Sequence, residues 1–393
     1  MTLQQKQQQQ TYEPLTESTA IELAKKLNLF SDQAVLQSTE IGDGNLNLVF
    51  RIVDQENNQS VIIKQALPYA KVVGESWPLT LKRATIESDA LKIFKDIAPD
   101  FVPEVYFADE ELAITVMEDL SHLIIARTGF IQGNDYPLLS AHLGKYLART
   151  LFLTSDFGLK PAKKKELVGQ FINPELCKIT EDLIFTDPFF DAPTNNFEQE
   201  LLKEVNQIWN DQQLKFQVAL LKKSFLTDSE ALLHGDLHTG SIFVSEEETK
   251  VIDPEFAYFG PIGFDLGQVI ANLLFQAIAN SEKREVIYNH IEVFWTTFVK
   301  DYEALWNSQN EEPLATTEGY LSFLLEKALK DAIGFAGCEL IRRTIGLAHV
   351  ADLDGIQDDT ERIEAKRTTL SIGRELIVNR NQFTSIQQLL SSL

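Results

Sequence analysis

Two aspartates seventeen residues apart, Asp236 and Asp253, constrain this chain more than any other feature. The apolar run Ala231-Leu232-Leu233 ends in His234-Gly235-Asp236. Apolar residues return at Ile242-Phe243-Val244, a polar turn follows from Ser245 to Thr249, and Lys250-Val251-Ile252 lead to Asp253. Short β-rich runs around a polar turn read as a hairpin. Asp236 is then expected in the loop before the hairpin and Asp253 at its far end, both carboxylates opening toward one cleft. Such a pair suits phosphoryl transfer, one Asp orienting the attacking hydroxyl and the other holding the Mg²⁺ that neutralises the phosphates. Either Asp alone would read as a turn residue. The pair at this spacing points to a small-molecule kinase.

Length and charge narrow the setting. A chain of 393 residues is too long for one ordinary core, so two lobes are expected. A net charge of -23 argues against a nucleic-acid surface, which needs clustered Lys and Arg. An acidic chain that binds a nucleotide must instead gather a few cations and metal ions in one place. Cys177 and Cys338 give neither a disulfide framework nor a metal spacing. With no charged-then-apolar leader and no long uncharged apolar span, the expectation is a cytoplasmic protein with no membrane partner.

The chain opens on a glutamine-rich tract, expected to form a disordered tail over 1–12. Ile21, Leu23, Ala24, Leu27 and Leu29 fit an amphipathic helix. Next comes Gly42-Asp43-Gly44-Asn45-Leu46-Asn47, followed by β-formers through Val53. This is either an ordinary hairpin turn or a tip whose amides approach an anion. It is no P-loop, since no Gly-Lys-Ser/Thr follows. Lys64 ends the apolar strand Val61-Ile62-Ile63, behind that tip and within reach of nucleotide phosphates. A cation there calls for an acidic partner. Glu87, bordering the stripe of Ile86, Ala90, Ile93 and Phe94, is the candidate. Trp77 sits in a Gly/Ser/Pro context that suits docked cover or a mobile lid. Strands at 104–107 and 112–117 lead into Glu118-Asp119-Leu120, an extended exit able to offer backbone groups to an adenine. From about Ser121 the pattern turns helical apart from the hairpin. The predicted division is a nucleotide-binding lobe over 13–120 and a catalytic, substrate-binding lobe over 121–393.

Beyond the hairpin, Phe264 to Phe275 reads as a buried helix, with Asp265 either capping it or bracing the catalytic loop. His234 and His238 are a poor metal pair and are read as supports of that loop. A second buried helix, from Gly334 onward, carries Arg342 and Arg343. Buried guanidinium groups are costly unless paired or used. Glu339 lies three and four residues before them, within pairing distance. One carboxylate cannot neutralise both, so an anion or polyol role is open beside the local pairing.

These motifs resemble a known family. His234-Gly235-Asp236-Leu237-His238 followed by Asp253 is similar to the aminoglycoside phosphotransferase and choline kinase superfamily. The tip at 42–47, the Trp77 segment, Val116 to Leu120, Asp253-Pro254-Glu255-Phe256 and Ile341-Arg342-Arg343 look like the methylthioribose kinase family within it. The resemblance implies an α+β, protein-kinase-like two-lobed fold. A small N-terminal antiparallel sheet lobe with a helix would precede a larger, mainly helical C-terminal lobe. It implies ATP-dependent phosphorylation of the 1-hydroxyl of methylthioribose in methionine salvage, with ATP and Mg²⁺ as cofactors and a homodimer as the usual assembly. Carried over by position, Gly44, Asn47 and Lys64 would meet the phosphates and Glu118, Asp119 and Leu120 the adenine. Asp253, Pro254 and Glu255 would line the nucleotide site, with Asp253 and Glu255 at the metal. Asp236 would orient or deprotonate the sugar hydroxyl, while Arg342, Arg343 and Trp77 would face the substrate.

The chain departs from the protein-kinase pattern in two places. Ser241 stands where those kinases place a metal-binding Asn, and Pro254-Glu255 replaces Phe-Gly after the metal Asp. A second metal, if bound, would lean on Glu255. Other alcohols, such as homoserine, choline or an aminoglycoside, are alternative acceptors, although twin arginines favour a neutral or anionic one. An inactive nucleotide-binding module would be expected to have lost Asp236, Lys64 or Asp253, and all three are present.

Overall fold

The computed structural model describes residues 12–41, 46–70 and 74–393, without the side chains of 70 and 74–77. Residues 1–11 of the expected tail, residues 42–45 of the glycine-rich tip with Gly44 among them, and the Trp77 side chain therefore lie outside the described residues. The chain divides into two compact units. One comprises Met1–Lys95 and Pro103–His122, the other Asp96–Val102 and Leu123–Leu393.

The first unit is built on five antiparallel strands. In spatial order they are Leu36–Glu40, Asn47–Asp54, Ser60–Ala66, Ile114–Glu118 and Val105–Asp109. Successive strand residues face opposite sides, and the two sides are used differently. Leu48, Phe50, Ile52, Val61 and Ile63 pack with Ile114 and Val116 under the helix Glu17–Lys26, which contributes Ala20, Leu23 and Ala24. Thr16 caps that helix in a capping box with Thr19. Lys64, one residue past Ile63, necessarily points to the other side, where the helix Lys82–Ile97 lies. Ala66, of the same parity as Lys64, touches Ala84 of that helix. Register pairs Lys64 with Val49 on one neighbour and Thr115 on the other, so the lysine sits mid-sheet. The fourth and fifth strands begin one or two residues later than the sequence suggests.

The second unit is mainly helical. The expected hairpin is present, with Ile242 opposite Val251 and Val244 opposite Thr249, and a third short strand, Ile124–Ile125, pairs with Phe243 and Val244. That strand, like the pair Ala231–Leu232 and Phe259–Gly260, has only two residues and leaves no periodic signature. Helices Gly263–Ala279 and Tyr320–Ile345 form the core. Around them Phe185, Phe225, Phe264 and Phe335 form a ring cluster with centroids 5.2–6.3 Å apart. Close approach of the two helices depends on Gly267, where a Cβ would lie 2.6 Å from the Ala332 carbonyl oxygen. No helix among the described residues is long and apolar enough to cross a membrane.

Past the end of Tyr320–Ile345 the chain is tied down by charge. His349 places Nδ1 3.0 Å from Asp354 Oδ2 and Nε2 2.5 Å from the Asn196 carbonyl oxygen. Both partners are acceptors, so only the imidazolium satisfies both contacts. The bond to Asp354 accordingly raises the His349 pKa, against some opposition from burial. Lys366 closes the network, 2.6 Å from Asp354 and 2.8 Å from Glu198. Burial alone would raise Asp354, but His349 and Lys366 hold it down to about 2.

Gly267→Ala should destabilise the fold by about 1–3 kcal/mol through overpacking. Gly169→Ala, in the helix Pro161–Gln170 with nothing within 4 Å of its Cβ, should stabilise it by about 0.5–1 kcal/mol. Urea unfolding of both variants checks the opposite signs. The His349 pairing stabilises the fold fully below the unfolded histidine value of about 6.5. Its contribution fades as pH rises through the raised folded pKa. Wild-type stability should therefore fall relative to His349→Gln across that range, and parallel pH profiles would remove the imidazolium.

Candidate active site

The loop carrying Asp236 is bent by Gly235 and held by Asp265. Gly235 has φ +85°, and a Cβ there would stand 2.3 Å from the Phe256 carbonyl oxygen, so only glycine makes this turn. Asp265, buried near the start of Gly263–Ala279, accepts the amides of His234 at 2.7 Å and Gly235 at 3.1 Å. It therefore braces the loop while also standing as the acidic residue in the first turn of its helix. Burial raises its pKa, opposed by those two amides. His234 accepts the Asp236 amide on Nδ1 at 3.3 Å, and its Nε2 meets the Ile252 carbonyl at 2.7 Å. These roles require a neutral ring protonated on Nε2. The Asp236 loop is thereby fastened to the residue just before Asp253.

His238 is the second support. Burial, then the positive charge of Arg127 and Arg343, push its pKa well below the usual range. Its Nδ1 accepts the Gly240 amide at 3.0 Å, which leaves an Nε2–H facing Asp236 Oδ2 at 3.6 Å. The Ser241 hydroxyl donates to the His238 carbonyl at 2.8 Å, so it is engaged in holding the loop.

Asp253 occupies the left-handed region, φ +63° and ψ +43°, which Asp tolerates better than most residues. Pro254 opens the 3₁₀ turn Pro254–Phe256, and Glu255 is buried within it. Asn173 Nδ2 donates to the Glu255 carbonyl at 2.9 Å and to the Ala257 carbonyl at 3.3 Å, pinning the turn from outside.

Arg342 and Arg343 occupy the last turn of Tyr320–Ile345, and the local pairing with Glu339 is present in their contacts. Glu339 takes Arg342 Nε on one oxygen at 2.6 Å and Arg343 Nε on the other at 2.8 Å. Burial would raise Glu339, yet the two guanidinium groups prevail and hold its pKa below the ordinary value. The Gln268 amide, with its nitrogen toward Glu339, lies 3.2 and 3.3 Å from the same oxygens. Each arginine then has its outer edge turned elsewhere. Arg342 Nη2 is 3.6 Å and Arg343 Nη2 3.7 Å from Asp236 Oδ1. Asp236, both arginines, His238 and Asp265 are thus brought together in the second unit.

In the first unit Lys64 Nζ donates to Glu87 Oε1 at 2.8 Å, both side chains being buried. Asn47 Oδ1 accepts Arg83 Nη2 at 2.9 Å. Arg83 is wholly buried and also donates to the carbonyls of Leu67, Thr80 and Leu46. It is an organising residue that the sequence reading passed over. Glu118 pairs with Glu104 through backbone and side chain. The Asp119 carboxylate is taken up by Arg51 Nε at 2.6 Å and by Ser121. Leu120 is buried. Of the Glu118–Leu120 segment, the Asp119 side chain therefore acts in local structure. Arg127 and Asp352 in the second unit also escaped the sequence reading, since neither lies in a motif.

Residues 38–288 match the model of the phosphotransferase enzyme family. A methylthioribose kinase of Geobacillus sp. (strain WCH70) is 60% identical over 381 residues, 97% of this chain and 95% of that protein. One from Bacillus mycoides (strain KBAB4) is 57% identical over 377 residues, 96% of each. Among solved structures, choline kinase from Cryptosporidium parvum Iowa II superposes with TM-score 0.50 at 13% identity, covering 94% of this chain and 99% of that one. At that identity the likeness bears on the fold alone, which is protein-kinase-like. The chain belongs to the methylthioribose kinase family, within the phosphotransferase enzymes.

Proposed function

We propose that the chain transfers the terminal phosphoryl group of ATP to the 1-hydroxyl of S-methyl-5-thio-D-ribose, giving the 1-phosphate, as a step of methionine salvage. The observation that carries this reading is the Asp236 carboxylate faced by both Arg342 and Arg343 Nη2, in a chain whose relatives bear that activity in their names. Asp236 accepts the hydroxyl proton as the sugar oxygen bonds to phosphorus and the bond to the ADP oxygen breaks. A partly exposed carboxylate, 27% accessible at its side chain, can be reached by that hydroxyl. The arginine edges offer paired donors to the phosphoryl oxygens. Lys64, oriented by Glu87, and Asn47 with the Gly44 tip receive the nucleotide phosphates. The Glu118-Asp119-Leu120 backbone receives the adenine, and Trp77 covers the substrate. The nucleotide lobe is 13–120 and the catalytic lobe 121–393.

The residues fit Mg²⁺. Asp253 and Glu255 supply hard carboxylate oxygens two residues apart, with Pro254 fixing the turn between them. Among the described residues no three His, Cys, Asp or Glu side chains gather into a cage. Mg²⁺ needs none, since it commonly takes one or two carboxylates and completes its shell with phosphate oxygens and water. Bound there, the ion would neutralise charge on the phosphates. On the same reading the enzyme is a cytoplasmic homodimer, and sedimentation at the mass of one chain would remove the dimer.

ATP consumption measured against methylthioribose, ribose, homoserine and choline tests the assignment. Methylthioribose should give the highest kcat/KM, with ribose lower by about 10², the discrimination typical of an apolar pocket. A preference for choline or homoserine would overturn the substrate. Asp236→Asn should retain ATP binding and lose about 10²–10⁴ in kcat. Near-normal turnover in that variant would remove Asp236 from the chemistry.

A further inference from the structure

Arg127 occupies a junction that the proposed mechanism does not use. It lies in the short helix Ala126–Ile131, directly after the strand Ile124–Ile125 that pairs with the hairpin. Its guanidinium reaches three separate pieces of the second unit. Nε is 3.1 Å from Asp352 Oδ2, on the segment that follows Arg342 and Arg343. Nη2 donates to Asn272 Oδ1 at 2.9 Å, on the helix Gly263–Ala279. Nη1 is 3.0 Å from the point where a Gly240 Cβ would stand, beside the His238 ring.

Each contact is relayed onward. Asn272 Oδ1 also accepts the amide and hydroxyl of Thr239 at 3.4 Å, in the loop that carries Asp236. The Asn272 amide nitrogen is itself held by the Gln268 carbonyl at 2.9 Å. Asp352 takes Gln276 on its other oxygen and has a fully buried side chain. A buried carboxylate would be expensive without its cation, so Arg127 cannot withdraw from Asp352 without cost. The planar fork of arginine allows at once the hydrogen bond to Asn272 and the ion pair with Asp352, in which Nε and Oδ2 are close but not aligned as a hydrogen bond. A lysine has one nitrogen to divide between them.

We propose that Arg127 is a positioning residue for phosphoryl transfer, locking the loop that carries Asp236 to the segment that follows Arg342 and Arg343. Through Asn272 and Thr239 it fixes one side, and through Asp352 the other. The separation of Asp236 from the two arginine edges then depends on a residue that meets neither. This inference rests on the kinase reading above.

Two measurements on full-length protein test it. In kinetics, Arg127→Lys should lower kcat about 10–100-fold, the scale of a displacement near 1 Å, with the KM for ATP unchanged. In an Asp236→Asn background the same substitution should cost less than about threefold, because a residue already removed has no position to lose. In hydrogen–deuterium exchange, Arg127→Lys should speed exchange over 236–241 and over 346–355. Asn272→Ala should do so over 236–241 alone, since it leaves Arg127 on Asp352. Three results would overturn the proposal: kcat within about twofold of wild type, a loss fully additive with Asp236→Asn, or a lowered melting temperature with exchange in both segments unchanged. If wild-type protein does not phosphorylate methylthioribose, the kinase reading fails. The exchange pattern then still decides for or against Arg127.

Discussion

A single buried carboxylate, Glu339, holds two adjacent guanidinium groups by their Nε atoms, and the active-site half of the second unit is arranged around that contact. Two cations on consecutive helical residues would repel each other and diverge by about 100° around the axis. Position in the last helical turn and a shared counter-charge three and four residues back overcome both problems. The inner edges are neutralised where water is absent. The outer edges remain oriented at Asp236, which is more exposed than any of the three partners. A charge cluster of this kind stabilises little by itself, because desolvation offsets most of the attraction. What it supplies is orientation, fixed before any ligand arrives.

The loop opposite is held by different means. Gly235 and Asp253 both take left-handed backbone, one without steric cost and one with it. Amide bonds to Asp265, the His234 bridge to Ile252 and the Asn173 clamp on the 255–257 carbonyls secure the two bends. Histidines that flank Asp236 serve as neutral spacers. They hold geometry without adding positive charge to a pocket already supplied with it.

How much of this was legible depended on distance along the chain. The 242–251 hairpin could be read because its strands are local and its turn polar. Lys64 and Glu87 could be paired because a cation ending an apolar strand calls for an acid and Glu87 borders the apolar stripe of the following helix, although that position equally suits a solvated charge. Glu339 with its arginines followed from helical spacing. Arg83, Arg127 and Asp352 could not be read, because each acts through partners brought together by the fold alone. Asp352 lies more than two hundred residues from Arg127, and no periodicity links them. Arg83 stands at the start of a helix, where a surface charge is the ordinary expectation, and only the packing buries it. Ser241 stands where protein kinases place a metal-binding Asn, but its hydroxyl is occupied by the loop's own backbone.

The helix Gly263–Ala279 gathers these threads on one face. Asp265, Gln268, Asn272 and Gln276 recur at intervals of three, four and four, and each is buried. They meet, in order, the Asp236 loop, Glu339, Arg127 and Asp352. The helix is therefore a ruler on which four contacts are ruled off over about 16 Å, at 1.5 Å per residue. Such a scale tolerates a change at one mark but not a change in the count between marks. Inserting or deleting one residue would turn everything beyond it by about 100° and carry polar groups into the phenylalanine cluster. Length variation in related chains should thus be confined to connections outside this helix, leaving its seventeen residues a segment of fixed length.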